Sequence, residues 1–255
     1  MSQVHSRPVR PTTRGPVLLA FELLMGLVMV SLSAVIMGIF IEIGGSYTIW
    51  KHRGALHARS LVEQDLGYIA AAPRSLLVSD TVAFSEKMIG YIAWPYQKFG
   101  LLGWSAKAPA DSPSDRVDAV QPPGKKSLAA ALRRNTEEVK RFFGTWLEMS
   151  MYVAMDVALR LSIALYALPA FVLACLVGAV DGLVRRDLRR WSGGRESSFV
   201  YHHAKRYTAW ALTGGFGLYL AWPFGGFNPA LMVLVFTVLV AATLSTTIAA
   251  FKKYV

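Results

Sequence analysis

The sequence predicts an all-α membrane protein with four transmembrane helices and a helical extracytoplasmic insertion between the first and the second. Of its 255 residues, 54% are hydrophobic and the mean hydropathy is +0.39, whereas soluble domains are roughly 45 to 50% apolar. Several apolar runs approach the length of about 20 residues that crosses a bilayer. Lys and Arg collect in short segments that would all lie on one side of the membrane, as expected for cytoplasmic loops.

The N-terminal part predicts a basic tail followed by the first span. Residues 1–15 contain no acidic residue, and we expect a disordered cytoplasmic tail there. Residues 16–43 form transmembrane helix 1, because no charged residue occurs between Leu23 and Ile41. A basic start before an apolar run also fits a signal peptide. This run, however, is longer than the usual hydrophobic region of about 7 to 15 residues.

The long segment 44–156 is predicted to be a periplasmic helical region. Apolar residues recur at helical spacing in 60–71 and 74–89. The aromatic-rich run 90–104 fits either a membrane-surface contact or the core of a small helical domain. Residues 106–126 are rich in Pro and indicate an irregular linker. From Ser127 onward, we expect one long helix that enters the bilayer near Val157.

The remaining chain is predicted to cross the membrane three more times. Transmembrane helix 2 covers 157–180, a basic cytoplasmic loop covers 181–206, and transmembrane helices 3 and 4 cover 207–224 and 229–251. A short cytoplasmic end follows at 252–255. The positively charged segments predict a multi-pass protein of the bacterial inner membrane with both termini in the cytoplasm.

The cytoplasmic loop is the most distinctive part of the sequence. We expect a short amphipathic helix over 183–191, with arginines that can face phosphate. It would contact anionic lipids of the cytoplasmic leaflet or dock a cytoplasmic protein, and direct nucleic-acid contact is the least favoured alternative. The candidate contact residues are Arg185, Arg186, Arg189, Arg190, Trp191, Arg195, Lys205 and Arg206.

Small residues at every fourth position predict how the last two spans pack. Such ridges allow close approach of helix backbones in lipid, and we expect the two helices to form an antiparallel hairpin along them. The ridges are Ala209, Thr213, Gly217 and Ala221 on one helix, and Thr237, Ala241, Ser245 and Ala249 on the other.

Charged residues near the spans suggest one ion pair. Glu42 ends the first span and Arg160 begins the second on the same predicted side, so they could pair across adjacent helices. No span carries a charge at its middle, which argues against an ion-coupled transporter.

The sequence contains none of the familiar catalytic motifs, such as a phosphate-binding glycine loop, HExxH or a nucleophile elbow. Cys175 is the single cysteine, and His202 and His203 are adjacent, so their side chains would diverge on a helix. We therefore expect no catalytic residue, no metal site and no cofactor, and a protein that is not an enzyme.

The run RRDLRRWSGGRESSFVYHHAKR at 185–206, with apolar segments on both sides, resembles the family of integrating conjugative element membrane proteins. These inner-membrane proteins are encoded among conjugative transfer genes. The resemblance implies a non-enzymatic scaffold or adaptor near a type IV secretion apparatus, with a coupling ATPase or another secretion component as partner. The family has no established catalytic residues to carry over. The alternatives are a small transporter or permease subunit and, third, a membrane-embedded enzyme.

Overall fold

The computed structural model describes residues 15–51, 53, 55–71, 74–100, 128–193, 203, 206–207 and 210–250. All regular secondary structure in these residues is helical, which confirms the predicted all-α class. The helices are α1 (Pro16–Thr48), α2 (Ala55–Ala71), α3 (Thr81–Lys98), α4 (Leu128–Trp191), a π-helical turn (Ala211–Gly215), α5 (Phe216–Leu220) and α6 (Pro229–Ala249). The N-terminal tail, the linker 106–126 and the C-terminal end 252–255 lie outside the described residues, except for Gly15.

Three of the described helices are long and apolar enough to cross a membrane: α1, the stretch Glu138–Trp191 of α4, and α6. This result is compatible with a membrane protein. In the region of the third predicted span, 207–224, the described residues form the π-helical turn and α5.

Helices α2 and α3 pack along α4, which makes the insertion between the first two long helices part of one hydrophobic core. Helix α3 begins later than predicted because Asp80 caps it: the Asp80 carboxylate accepts a hydrogen bond from the backbone N–H of Ala83 at 2.9 Å. Most of the aromatic run 90–104 lies on α3, where some of its side chains pack in the core and others are exposed. Tyr96 packs on the core, with its hydroxyl 3.3 Å from the Ser150 hydroxyl, whereas Tyr91 is exposed.

Helix α4 extends over 64 residues without interruption, through Pro169, to Trp191. It is roughly 95 Å long at the 1.5 Å rise of an α-helix. The amphipathic helix predicted at 183–191 is therefore not a separate element but the last turns of α4. Gly193, with φ of 68°, follows the end of the helix in the left-handed conformation that glycine adopts readily.

The small-residue ridge of α6 packs on α4, and not on the preceding helix as the sequence predicted. A Cβ atom built on Gly178 would lie 2.6 Å from the Ala241 carbonyl oxygen, and one on Gly182 would lie 2.6 Å from the Ser245 carbonyl oxygen. Two glycines on α4 thus admit the α6 backbone more closely than Ala or Thr could. The Ser245 hydroxyl also donates to the Asp181 carboxylate at 2.6 Å.

The other predicted ridge faces elsewhere. The nearest atom to a Cβ on Gly217 belongs to Val30 of α1, at 3.9 Å. The segment before α6 instead contacts Phe236, which lies 3.3 Å from a Cβ built on Gly215 and packs against the Phe216 ring. Ala209 of the predicted ridge lies outside the described residues.

The glycine contacts also fix the register of α4 against α6. Gly178 meets Ala241 and Gly182 meets Ser245, so the two helices run parallel. Extending this register places Tyr166 beside the first turn of α6. In agreement, Tyr166 and Asn228 line the same cavity. The α4 residues that precede Tyr166 therefore pack mainly on α1, α2, α3 and α5, beyond the N-terminal end of α6.

Candidate functional site

A buried cluster of charged side chains lies where α1, α2 and α4 meet. Arg160 of α4 is at its centre and is only 4% exposed. Its Nε atom lies 3.2 Å from Oδ2 of Asp65, and its Nη2 atom lies 3.1 Å from Oδ2 of Asp156 one turn earlier on α4. Together with Glu42 and His57, these residues form what we term the Arg160 cluster.

The Arg160 guanidinium also fixes the end of α5. Its Nη1 atom donates to the carbonyl oxygens of Tyr219, at 3.3 Å, and of Trp222. In return, the Tyr219 hydroxyl donates to the Arg160 carbonyl oxygen at 2.9 Å. One arginine thus joins α2, α4 and the chain that leaves α5, which are distant in sequence.

Glu42 pairs with His57 instead of Arg160, which corrects the predicted ion pair. The His57 Nδ1 atom lies 2.7 Å from Oε1 of Glu42, and the His57 ring stacks on Trp50 with ring centroids 4.0 Å apart. Both predicted residues belong to the cluster, but each has another partner in it. Arg160 pairs with the two aspartates, and Glu42 pairs with His57 in the first turn of α2.

The electrostatics of the cluster are dominated by burial. Glu42, Asp65 and Asp156 are 2%, 4% and 7% exposed. The basic side chains that pair with them in the described part of the chain are those of Arg160 and His57. Burial raises the pKa of Asp65 above its ordinary value, and the neighbouring Arg160 offsets this only in part. Removing one partner of such a buried pair is costly because it leaves an uncompensated charge.

Sequence reasoning missed Asp65, Asp156 and Tyr219 as members of this site. Asp156 could have been found, because it precedes Arg160 by four residues and thus lies on the same helix face. Asp65 carried no such signal, since it contacts Arg160 only through the packing of α2 on α4. Among the residues that the structure describes, no group of three or more His, Cys, Asp or Glu side chains is arranged to hold a metal ion.

The second candidate site is the C-terminal end of α4, which we term the basic helix end: Arg185, Arg186, Arg189, Arg190 and Trp191. Arg185 pairs with Asp181, with 2.9 Å between Nε and Oδ2. The other three arginines make no ion pair with any residue in the described ranges. Leu188 is 63% exposed and Trp191 is 93% exposed, so apolar and cationic groups share this surface.

Of the remaining predicted contact residues, Arg206 lies over the Trp210 ring, 4.9 Å from its centroid. Arg195 and Lys205 lie outside the described residues. The structure therefore brings together the part of the predicted contact set that belongs to α4.

These features define an all-helical protein with three helices suited to a bilayer, a buried ion cluster on the long helix α4 and an arginine-rich surface at the C-terminal end of that helix. Residues 49–252 match the model of a family described as "IncC plasmid conjugative DNA transfer protein DtrJ-like". The chain belongs to this DtrJ-like family. No curated protein and no solved structure matches the chain.

The family match bears on the earlier resemblance. A conjugation-associated family is confirmed, but the matching family is the DtrJ-like one. The matched region includes α2, α4 and α6, and therefore Arg160 with both of its aspartates and the whole basic helix end. Glu42 lies before it.

Proposed function

We propose that this chain is a multi-pass protein of the bacterial inner membrane that serves conjugative DNA transfer as a scaffold or adaptor, without enzymatic activity. The observation that carries this proposal is the match of residues 49–252 to the DtrJ-like conjugative transfer family. The three long apolar helices support the membrane location. The apparatus it would serve is a type IV secretion system of a mobile genetic element, such as an integrating conjugative element.

The proposed topology has four crossings and both termini in the cytoplasm. Helices α4 and α6 run parallel, and α4 ends in four arginines that would remain on the cytoplasmic side. At the opposite end, the Gln64 side chain of α2 accepts a hydrogen bond from the backbone N–H of Gly226 at 3.0 Å. The insertion and the turn before α6 would therefore share the periplasmic side. The segment that ends in α5 would supply the remaining crossing.

The register of α4 against α6 supports a specific position for the outer bilayer boundary. Helix α6 begins beside Tyr166, so α4 would enter the hydrocarbon near Tyr166 and not near Val157. Arg160 precedes Tyr166 by six residues, roughly 9 Å along the helix. The Arg160 cluster would then lie outside the bilayer, covered by the insertion.

Labelling of single cysteines would test the topology. In a Cys175→Ser background, Ser79→Cys lies before α3 and Ser192→Cys follows α4, and both positions are exposed. A membrane-impermeant maleimide should label Ser79→Cys in cells whose outer membrane alone is permeable. It should label Ser192→Cys only after the inner membrane is opened. The reverse pattern would contradict the proposed orientation.

We propose that the basic helix end docks a cytoplasmic component of the transfer apparatus, with a coupling ATPase as the leading candidate. Arginine and tryptophan are enriched in the residues that dominate binding energy at protein interfaces. Trp191 is almost fully exposed and three arginines have no acidic partner in the described part of the chain.

The docking proposal can be tested by photocrosslinking in cells that carry the complete element. A photoreactive residue replaces Arg189 or Trp191, and Tyr91, exposed on α3, serves as the control position. Recovery of a coupling ATPase or another secretion component from the first two positions, and not from the control, would support docking. Recovery of lipid alone would reduce this surface to a membrane anchor.

A transporter subunit is the competing function, and the cavities give it little support. A cavity of about 450 Å³ between α1, α3, α4, α5 and α6 is lined almost entirely by apolar side chains, with Ser162 and Tyr219 as its polar members. Such a lining offers no polar path for an ionic solute. Deletion of the gene should lower DNA transfer without lowering uptake of any small molecule. A loss of uptake with normal transfer would favour the transporter.

A further inference from the structure

A small cavity adjoins the Arg160 cluster. It has a volume of about 20 Å³ and lies between α1, α2, α4 and the chain that follows α5. Most of its lining is apolar, but three side chains capable of hydrogen bonding, Glu42, Asp156 and Trp222, also line it. A cavity of this size holds about one water molecule.

Each of these three side chains has a buried polar atom without a protein partner in the described structure: Glu42 Oε2, Asp156 Oδ1 and Trp222 Nε1. The glutamate and aspartate residues are 2% and 7% exposed. Buried polar atoms are almost always paired, with protein or with ordered water. Three unpaired atoms around a single small cavity indicate one shared occupant.

The chemistry of these atoms selects the occupant. Two are carboxylate oxygens, which accept hydrogen bonds, and the third is an indole N–H, which only donates. A water molecule can donate twice and accept once, and so satisfies all three. A metal cation would favour the two carboxylates but would be repelled by the positive hydrogen of the indole. We propose that this cavity binds one water molecule, held by Glu42, Asp156 and Trp222.

The bound water joins the two halves of the cluster. On one side it contacts Glu42, whose other oxygen pairs with His57. On the other it contacts Asp156, whose other oxygen pairs with Arg160. The result is one hydrogen-bonded network from α1 to α4, closed by Trp222 beyond α5. The inference does not depend on the proposed function, since it rests on the cavity and its lining.

The test is an experimental structure of the full chain at a resolution that shows ordered water. One peak should appear at hydrogen-bonding distance, about 2.6 to 3.2 Å, from all three atoms. Replacement of sodium and potassium by thallium should give no anomalous signal at this position. An empty cavity, or a thallium signal in it, would overturn the proposal.

A pair of matched variants tests the role of the indole. Trp222→Phe keeps an aromatic ring but removes the donor, and should lower the occupancy of the water peak to half or less. As the control, Trp94→Phe removes an exposed indole N–H on α3, which does not line the cavity, and should leave the peak unchanged. A peak that persists at full occupancy in Trp222→Phe would overturn the assignment. The wild-type structure decides the matter if this variant does not fold.

Discussion

Replacing Arg160 by methionine would test the importance of the buried cluster for stability. Arg160→Met keeps most of the side-chain length but removes the charge. Asp65 and Asp156 would then have to remain buried without a counter-charge or take up protons. Loss of one partner from a buried ion pair costs about 3 to 5 kcal/mol. At this chain length, such a loss lowers the unfolding temperature by about 10 °C.

The matched control is Arg59→Met on α2. Arg59 also pairs with a carboxylate four residues away, with 2.8 Å between its Nε and Oε1 of Glu63, but the two side chains are 56% and 62% exposed. Exposed pairs of this kind contribute little to stability, because water and salt screen the two charges. The unfolding temperature of the purified protein, followed by tryptophan fluorescence, should therefore fall much further for Arg160→Met. Equal shifts for the two variants would refute the reasoning.

A rescue experiment separates lost charge balance from lost packing. If uncompensated carboxylates are the cause, Arg160→Met combined with Asp65→Asn and Asp156→Asn should recover a large part of the lost stability, because no isolated charge remains. If lost contacts to the Tyr219 and Trp222 carbonyls dominate, the triple variant should be no more stable than Arg160→Met alone.

Three further variants test other parts of the structure. Gly178→Ala places a Cβ 2.6 Å from a backbone oxygen of α6 and should lower the free energy of unfolding by about 1 to 3 kcal/mol. Its control, Gly26→Ala, has open space around the added Cβ and should leave the unfolding temperature unchanged. Because burial raises the pKa of Asp65, the folded chain binds this proton more tightly than the unfolded chain. The resulting contribution to stability is present below the ordinary carboxyl pKa and is lost as pH rises through the raised value, so the unfolding temperature should fall over this pH range. Asp65→Asn should make that fall smaller. Tyr166→Phe removes a hydrogen bond to the Thr81 carbonyl, at 3.0 Å. If this bond holds the start of α3 on α4, the variant should be cleaved faster by proteases between α2 and α3. Unchanged cleavage would count against this role of Tyr166.

The features that depend on local sequence could be predicted. An unbroken apolar run is enough to indicate a long helix, and α1, α6 and the long helix from residue 128 through the second apolar run follow from such runs. The position of Asp80 before a helical pattern also contains the signal for the start of α3, although the preceding apolar residues concealed it. The arginines at the end of α4 required no tertiary information, because their charge is read directly.

The partners of these elements could not be predicted, since they depend on packing between distant segments. Two ridges of small residues on adjacent helices look self-complementary, yet Gly178 and Gly182 offer α6 a closer approach on α4. A fourth-position pattern shows that a helix can pack tightly but not against which neighbour. Similarly, Asp65 lies 95 residues before Arg160, and no spacing rule connects residues that far apart.

The register of α4 and α6 gives a physical reason for the insertion between the first two long helices. If α4 entered hydrocarbon near Val157, Arg160 and Asp156 would have to be accommodated at the edge of the lipid, where charges are expensive. With the boundary at Tyr166, the same residues would lie within protein outside the hydrocarbon, and the insertion would supply their pairing partners. Helix α2 contributes Asp65 to Arg160 and His57 to Glu42. In the proposed topology, the insertion would thus provide the ion-pair and hydrogen-bond partners that allow α1 and α4 to continue beyond the bilayer as one packed unit.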